Sequence, residues 1–330
     1  MKNLILALSC FALAQGLYAQ EGIPVYSDYL SDNLYLIHPS MAGASNANQI
    51  RLTARQQWFD VDDAPNLQTL SANGRLGDQV GIGGIVFNDQ NGYFSQRGIY
   101  ATFAYHLLLS RNYVDLNQLS FGISGGLIQN TLDETQFDLT DFDPVITGTQ
   151  QNDTYMNVDL GISYYFLDFY AHLTAKNILP AQRDLFGDLE STNQRRYLAS
   201  AGYVFSGGEL WNYEPSILFQ ATDETKESTI DLNFKVYREM GWGQLWGGLS
   251  YRRSFDGAEF TTDGQQVESQ KLQYITPFLG ANVGSFLVAY TYSYQNNSVV
   301  LSNGGFHQIT LGYDFGKRRE PYDCDCPAIN

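Results

Sequence analysis

From residue 50 onward, apolar and polar side chains alternate with a period of two in one segment after another. The segment 306–315 shows the pattern best. Ile309, Leu311, Tyr313 and Phe315 fall on one face, and Gln308, Thr310, Gly312 and Asp314 on the other. A strand with this period puts successive side chains on opposite faces of a sheet. In a soluble sheet the polar face meets water outside, whereas here that face recurs as the side most easily enclosed. A transmembrane barrel has this inverted arrangement, with apolar residues toward lipid and polar residues toward the lumen.

Thirteen earlier segments repeat the alternation: 50–58, 67–74, 80–88, 99–109, 116–128, 155–166, 169–176, 196–205, 210–221, 229–237, 245–252, 272–281 and 286–295. The fold class is therefore all-β, a transmembrane antiparallel barrel of about 14 strands, an even number that brings both ends to one side. Pro215 and Pro277 weaken two strands, since proline removes a ladder donor, and the facing of 272–281 is left open. The spacers alternate in length. Gaps 59–66, 89–97, 129–153, 177–195, 222–228, 253–271 and 296–305 are long, and most of the others short. Long external loops and short periplasmic turns are expected of an outer-membrane barrel.

The same facing assigns charges to the lumen. Arg51, Arg55, Lys176, Arg196, Lys235 and Arg252 point inward with Asp159, Glu214, Asp231 and Asp314. The near balance favours paired networks or a plugging segment over an ion-selective pore. Trp58, Trp211, Trp242 and Trp246 fall at or near strand ends, where an interfacial aromatic belt would place them.

Residues 1–19 carry Lys2, an apolar run and Ala19, the features of a cleavable secretory leader. The run is too short to span a bilayer as a helix. Residues 20–48 hold Pro24, Pro39 and Gly43 and show no alternation, so they are read as a periplasmic or lumen-plugging segment. The barrel occupies 49–316, and 317–330 form a periplasmic tail, with both termini periplasmic. The formal net charge of −16 is not that of a nucleic-acid-binding chain. After the leader only Cys324 and Cys326 remain, too few for a disulfide framework. They are candidates for a strained local bridge or for pairing with another chain.

Chemistry is sparse. His38, His106, His172 and His307 lie on separate segments without metal-ligand spacing. The acidic groups Asp60, Asp62, Asp63 and Asp138, Asp141, Asp143 miss the calcium-loop pattern and read as solvated loops. Gly81-x-Gly83-Gly84 opens no helix, so it is no nucleotide motif. No cofactor, metal site or catalytic constellation emerges, and the chain is read as a non-enzyme.

Some residues carry more than periodicity. His38-Pro39-Ser40-Met41-Ala42-Gly43, Arg55-Gln56-Gln57-Trp58 and Ala64-Pro65 resemble the opening of the PorP/SprF family. The likeness continues in Gly81–Gly84, in Trp246-Gly247-Gly248-Leu249-Ser250-Tyr251-Arg252 and in His307-Gln308-Ile309-Thr310-Leu311. His38 and Gln308 depart from the family's usual Asn and Glu. The resemblance implies an integral outer-membrane protein of the type IX secretion and gliding machinery. Its implied partners are an exported surface protein with a C-terminal sorting domain, a periplasmic peptidoglycan-binding lipoprotein and outer-membrane lipids. Trp58, His307, Cys324 and Cys326 are the candidate interface residues, and the external loops 129–153, 177–195 and 253–271 would meet the client. A small-solute channel is the alternative reading.

Overall fold

The computed structural model describes residues 32–57, 64–110, 115–135, 137, 148–179, 194–223, 225–262, 266–296, 305–317, 324 and 328–329. Its strands are β1 (Asn48–Gln57), β2 (Asn66–Leu76), β3 (Val80–Asn91), β4 (Phe94–Leu108), β5 (Asn117–Asp133), β6 (Gln150–Phe166) and β7 (Phe169–Lys176). They continue as β8 (Arg196–Tyr203 and Phe205–Ser206), β9 (Trp211–Thr222), β10 (Ser228–Met240), β11 (Gly243–Thr262), β12 (Gln266–Val283), β13 (Phe286–Gln295) and β14 (Phe306–Phe315). Each strand pairs antiparallel with its sequence neighbours. The ring closes where β14 meets β1, with Phe315 opposite Asn48 and Phe306 opposite Gln57. This is a closed 14-strand barrel. Among the described residues no helix is long and apolar enough to cross a membrane.

The side chains are distributed inside out. Ile309 and Leu311 are 51% and 47% exposed, while Gln308 and Thr310 between them are 5% and 1%. β5 repeats this, with Phe121, Ile123 and Leu127 exposed and Ser120, Ser124 and Asn130 buried. A band of exposed aliphatic and aromatic side chains girdling a closed sheet suits hydrocarbon and not water.

The two prolines sit where the ladder is already open. Pro277 pairs with Leu249 on β11, but the β12–β13 register skips from Ile275 to Phe278. Pro215 pairs with Phe234, while the pairing with β8 breaks between Gly202–Ser216 and Phe205–Tyr213, at Val204. Each proline thus puts its missing donor into a gap that costs no further hydrogen bond. The facing of β12 is resolved, with Tyr274, Thr276 and Phe278 inward and Leu279 outward.

Several predicted loops are strand. The gap 89–97 collapses to a turn at Gly92 and Tyr93, with Gly92 at φ +58°. The gap 253–271 becomes one long hairpin, reaching Thr262 and Gln266 beyond a bulge between Arg253 and Gly257. β5 runs on to Asp133, and β6 starts at Gln150. Beyond the apolar band both faces of a strand meet water, so the alternation that marks it disappears while its backbone pairing persists. Conversely, the 109–116 connection at the terminus-bearing end is not short. The loop alternation therefore holds only in part.

Residues 32–47 lie inside the barrel. They form two 3-10 turns, Leu34–Leu36 and Pro39–Met41, and Tyr35 through Ala44 are buried. With Leu116, Tyr165, Leu198 and Ile329 they make the main hydrophobic cluster. Glycines on the lumenal face let this plug approach. A Cβ on Gly122 would lie 2.3 Å from the Pro39 carbonyl carbon and the Ser40 nitrogen, and one on Gly81 1.9 Å from the Ala42 oxygen. These contacts are with backbone, which cannot swing away.

Two outcomes follow from this architecture. Leu311→Arg puts a cation against hydrocarbon and should cost about 2–4 kcal/mol, read as a shift in urea unfolding from lipid vesicles; no loss would place Leu311 off the lipid face. Gly122→Val should cost about 1–3 kcal/mol through overpacking and expose the 32–47 segment to protease. Gly125→Val, whose added Cβ meets nothing within 4 Å, should leave the segment protected.

Candidate functional site

The lumen is the candidate site, and its chemistry starts from the backbone of the plug. Short 3-10 turns leave carbonyls without intrahelical partners, and inside a protein these must be satisfied. The barrel wall supplies the donors. Lys176 Nζ donates to Leu36 O at 2.9 Å, Arg75 Nε to Gly43 O at 2.7 Å, and Arg75 Nη2 to Ala44 O at 3.0 Å. His106 Nε2 lies 3.0 Å from Ala42 O, so that nitrogen carries the proton and Nδ1 accepts from Ser120 Oγ at 2.8 Å. Side chains of the plug answer in turn. Tyr35 Oη donates to Thr102 Oγ1 at 2.7 Å, and Asn33 Nδ2 to Ser71 Oγ at 2.9 Å.

Pro39 occupies the first position of its turn, where its fixed φ and absent donor cost nothing. The preceding His38 is extended, which projects its ring into the wall. His38 Nδ1 is 2.8 Å from Thr174 Oγ1 and Nε2 3.2 Å from Ser200 Oγ. Its ring stacks on His172 with centroids 4.5 Å apart and planes 18° from parallel. Burial holds the His38 imidazole well below its usual titration range, and the neighbouring His172 and Lys176 push the same way. A neutral ring can stack on a second imidazole without charge repulsion. His172 Nδ1 contacts Ser163 Oγ at 2.6 Å, which contacts Ser40 Oγ at 2.6 Å. This histidine–serine chain is buried, and among the described residues its hydrogen-bond partners are hydroxyls.

On the other side of the barrel, charges pair along the wall. Arg51 forks onto Asp314 at 2.5 and 3.1 Å, and lies across Gly312, where a Cβ would meet it at 2.8 Å. Arg252 and Asp231, register partners on β11 and β10, make a second fork at 2.6 and 2.5 Å. Such bidentate pairs are the strong, geometry-fixing kind. Glu214 accepts short hydrogen bonds from Tyr170 and Tyr237. Lys235 Nζ sits 3.8 Å from the Trp246 ring and 4.5 Å from that of Tyr237. Arg55 stacks over Phe306 at 4.3 Å, and Asp159 accepts from Asn157 and from the Asn177 backbone. Arg196 is half-buried at the start of β8.

Between plug and wall there remains a cavity of about 170 Å³, lined by Asp32, Arg51, Glu214, Lys235, Trp246 and Asp314 among others. Burial raises the Asp32 carboxyl above the usual carboxylate range, against the opposing pull of Thr310, Lys235 and Arg51. Among the described residues, no group of three or more His, Cys, Asp or Glu is arranged to hold a metal ion.

Of the residues named from periodicity, Arg51, Arg55, Asp159, Glu214, Asp231, Lys235 and Arg252 are buried and Lys176, Arg196 and Asp314 half-buried, and they do not form one cluster. Arg51–Asp314 and Arg252–Asp231 pair, and Glu214 and Lys235 share the cavity. Lys176 serves the plug. The interface candidates scatter. Trp58 and Cys326 lie outside the described residues, as do Asp60, Asp62, Asp63, Asp138, Asp141 and Asp143. His307 faces outward, its Nδ1 2.6 Å from Tyr290 Oη and its ring against Tyr292. Cys324 packs on the core cluster that also holds fully buried Ile329, whose carbonyl accepts from Asn46 N at 2.7 Å. Trp246 corrects the belt reading. It is 4% exposed and points into the lumen, because its position has the parity of Arg252, whereas Trp211 and Trp242 are exposed. The His38–His172 stack and Arg75 escaped sequence reasoning. The only signal for Arg75 was its place at the inward parity of β2, beside Asn73.

A family model described as "Type IX secretion system membrane protein PorP/SprF" matches residues 19–313. No curated protein matches the chain. Among solved structures, a deltaS2 mutant of the TodX monoaromatic hydrocarbon channel is 12% identical, with a TM-score of 0.49, over 87% of this chain and 94% of its own. The CymD monoaromatic hydrocarbon channel is 10% identical, with a TM-score of 0.44, over 86% and 92%. Salmonella typhi OmpF is 11% identical, with a TM-score of 0.36, over 82% and 96%. The family match spans the plug and all but the last residues of the barrel, and by it this chain belongs to the PorP/SprF family of type IX secretion system membrane proteins.

Proposed function

We propose that this outer-membrane protein is a plugged anchor that retains an exported surface protein by its C-terminal sorting domain. The observation that carries the reading is the filled lumen. Tyr35 through Ala44 are buried within the barrel, and Asn33, Tyr35, His38 and Ser40 hydrogen-bond to β2, β4, β6, β7 and β8, with a cavity of about 170 Å³ between plug and wall. A water-filled channel for polar solutes needs a continuous polar path. A lumen tied off by bidentate ion pairs and capped carbonyls instead makes a rigid support for loops.

With both ends of the barrel sequence at one rim, the plug and Ile329 belong to the periplasmic end. The strand extensions of β5–β6 and β11–β12 and the connections at the opposite rim then stand outside the cell, where a client is held. The turns at 77–79, 167–168 and 284–285 face a periplasmic lipoprotein partner. The mechanism is binding and retention, with no bond made or broken.

Purified protein in planar bilayers, followed by co-purification with a candidate sorting domain, tests the reading. The anchor should show no steady conductance and should retain the domain through washing. Steady, voltage-independent conductance with no domain retained would replace it with the channel.

A further inference from the structure

The outer wall carries a furrow that the anchor reading does not use. Its floor is one register row of backbone, Thr69, Phe87, Gly98 and Ile128, in which the side chains of Thr69, Phe87 and Ile128 turn into the lumen. One bank is the outward row Leu70, Val86, Ile99 and Leu127, with Leu52 at its end. The other bank is the adjacent outward row Gln68, Asn88, Arg97, Gln129 and Thr154. The furrow encloses about 550 Å³ and crosses β2 to β5, a span of roughly 15 Å at the usual strand spacing.

Its two banks differ in kind. Val86, Ile99 and Leu127 are each more than half exposed, which in this barrel means exposed to acyl chains. One row further on, every outward side chain is polar, so the furrow lies at the height where hydrocarbon gives way to headgroups. The single charge in that polar bank is Arg97. It is exposed, and Asn88 Oδ1 accepts from its Nε at 2.9 Å, which leaves the terminal guanidinium nitrogens directed away. The next outward row, Asn66, Gln90, Ser95, Thr131 and Asn152, has no carboxylate either. In a chain of formal charge −16, Arg97 thus presents an outward guanidinium at the membrane interface, with Asp89 and Asp153 on the inward row behind it.

We propose that the furrow seats one phosphate-bearing glycolipid of the outer leaflet, of the lipid A class, with a headgroup phosphate on Arg97 and an acyl chain along the Leu70–Val86–Ile99–Leu127 bank. Guanidinium and phosphate match in geometry and charge, and the apolar bank gives a chain more contact than a flat wall does. The choice of leaflet rests on the orientation given under the proposed function. An epitope inserted at the 92–93 turn and read on intact cells checks that orientation separately.

Native mass spectrometry of the detergent-solubilised protein, titrated with lipid A or with phosphatidylglycerol, tests the assignment. Heat-modifiability of each variant confirms that it is folded. Wild type should retain a lipid A adduct that phosphatidylglycerol does not displace at equal concentration. Arg97→Gln should weaken retention by about tenfold, the loss expected for one charge-assisted hydrogen bond. Val86→Trp, which fills the furrow, should lose the adduct. Leu232→Trp, on the lipid face of β10, should keep it. Retention within about twofold of wild type in either furrow variant, or equal binding of phosphatidylglycerol, would overturn the proposal. So would a co-purifying polypeptide that Val86→Trp releases.

Discussion

In hydrocarbon, a backbone amide without a partner has no water to turn to, and each one left open costs several kcal/mol. A sheet meets that constraint only by closing, and here closure rests on the ten register pairs between β1 and β14. Other features follow from it. Closing the sheet gives it an inside and an outside, so a strict period of two becomes a strict division between lipid and lumen. The two prolines are tolerated because they fall where the ladder is already interrupted, at Val204 and between Ile275 and Phe278.

Closure also creates an interior that must be filled or wetted. This chain fills much of it with its own N-terminal segment, and the fit is reciprocal. Glycines at 81, 122 and 161 remove side chains where the plug's backbone comes close, while Arg75, His106 and Lys176 reach in to the carbonyls that its short turns leave open. Opposite the plug the wall carries its own ion pairs and the aromatic cage around Lys235. One part of the wall is therefore bound to the plug, and another is bound to itself. Ile329 ties the end of the plug segment to itself, accepting from the Asn46 amide.

The sequence made the barrel and its facing readable because lipid imposes a rule on every outward position of every strand. Leu52, Ile123 and Leu311 obey it without regard to tertiary detail. The rule stops at the edge of the apolar band, which is why the polar stretches 89–97 and 253–271 read as loops although their backbones pair. The lumen was legible only as a list of inward charges. Which of them meet depends on register and on the plug: Asp231 faces Arg252 directly, Arg51 needs the gap at Gly312, and Lys176 bonds to a carbonyl 140 residues away in sequence. His38 and His172 stack because a 3-10 turn inside the barrel brings them together, and no local pattern encodes that contact. Trp246 looked like an interfacial residue because it lies near a strand end; parity, not proximity to the end, decided its direction.

The inverted facing is tested most directly by nitroxide scanning of β5 in lipid vesicles, one label at a time from residue 119 to residue 128. Collision with dissolved oxygen, which concentrates in hydrocarbon, should oscillate with a period of two. The maxima should fall at Leu119, Phe121, Ile123 and Leu127, and the minima at Ser120 and Ser124. Maxima at the serines, or a profile with no alternation, would contradict the account.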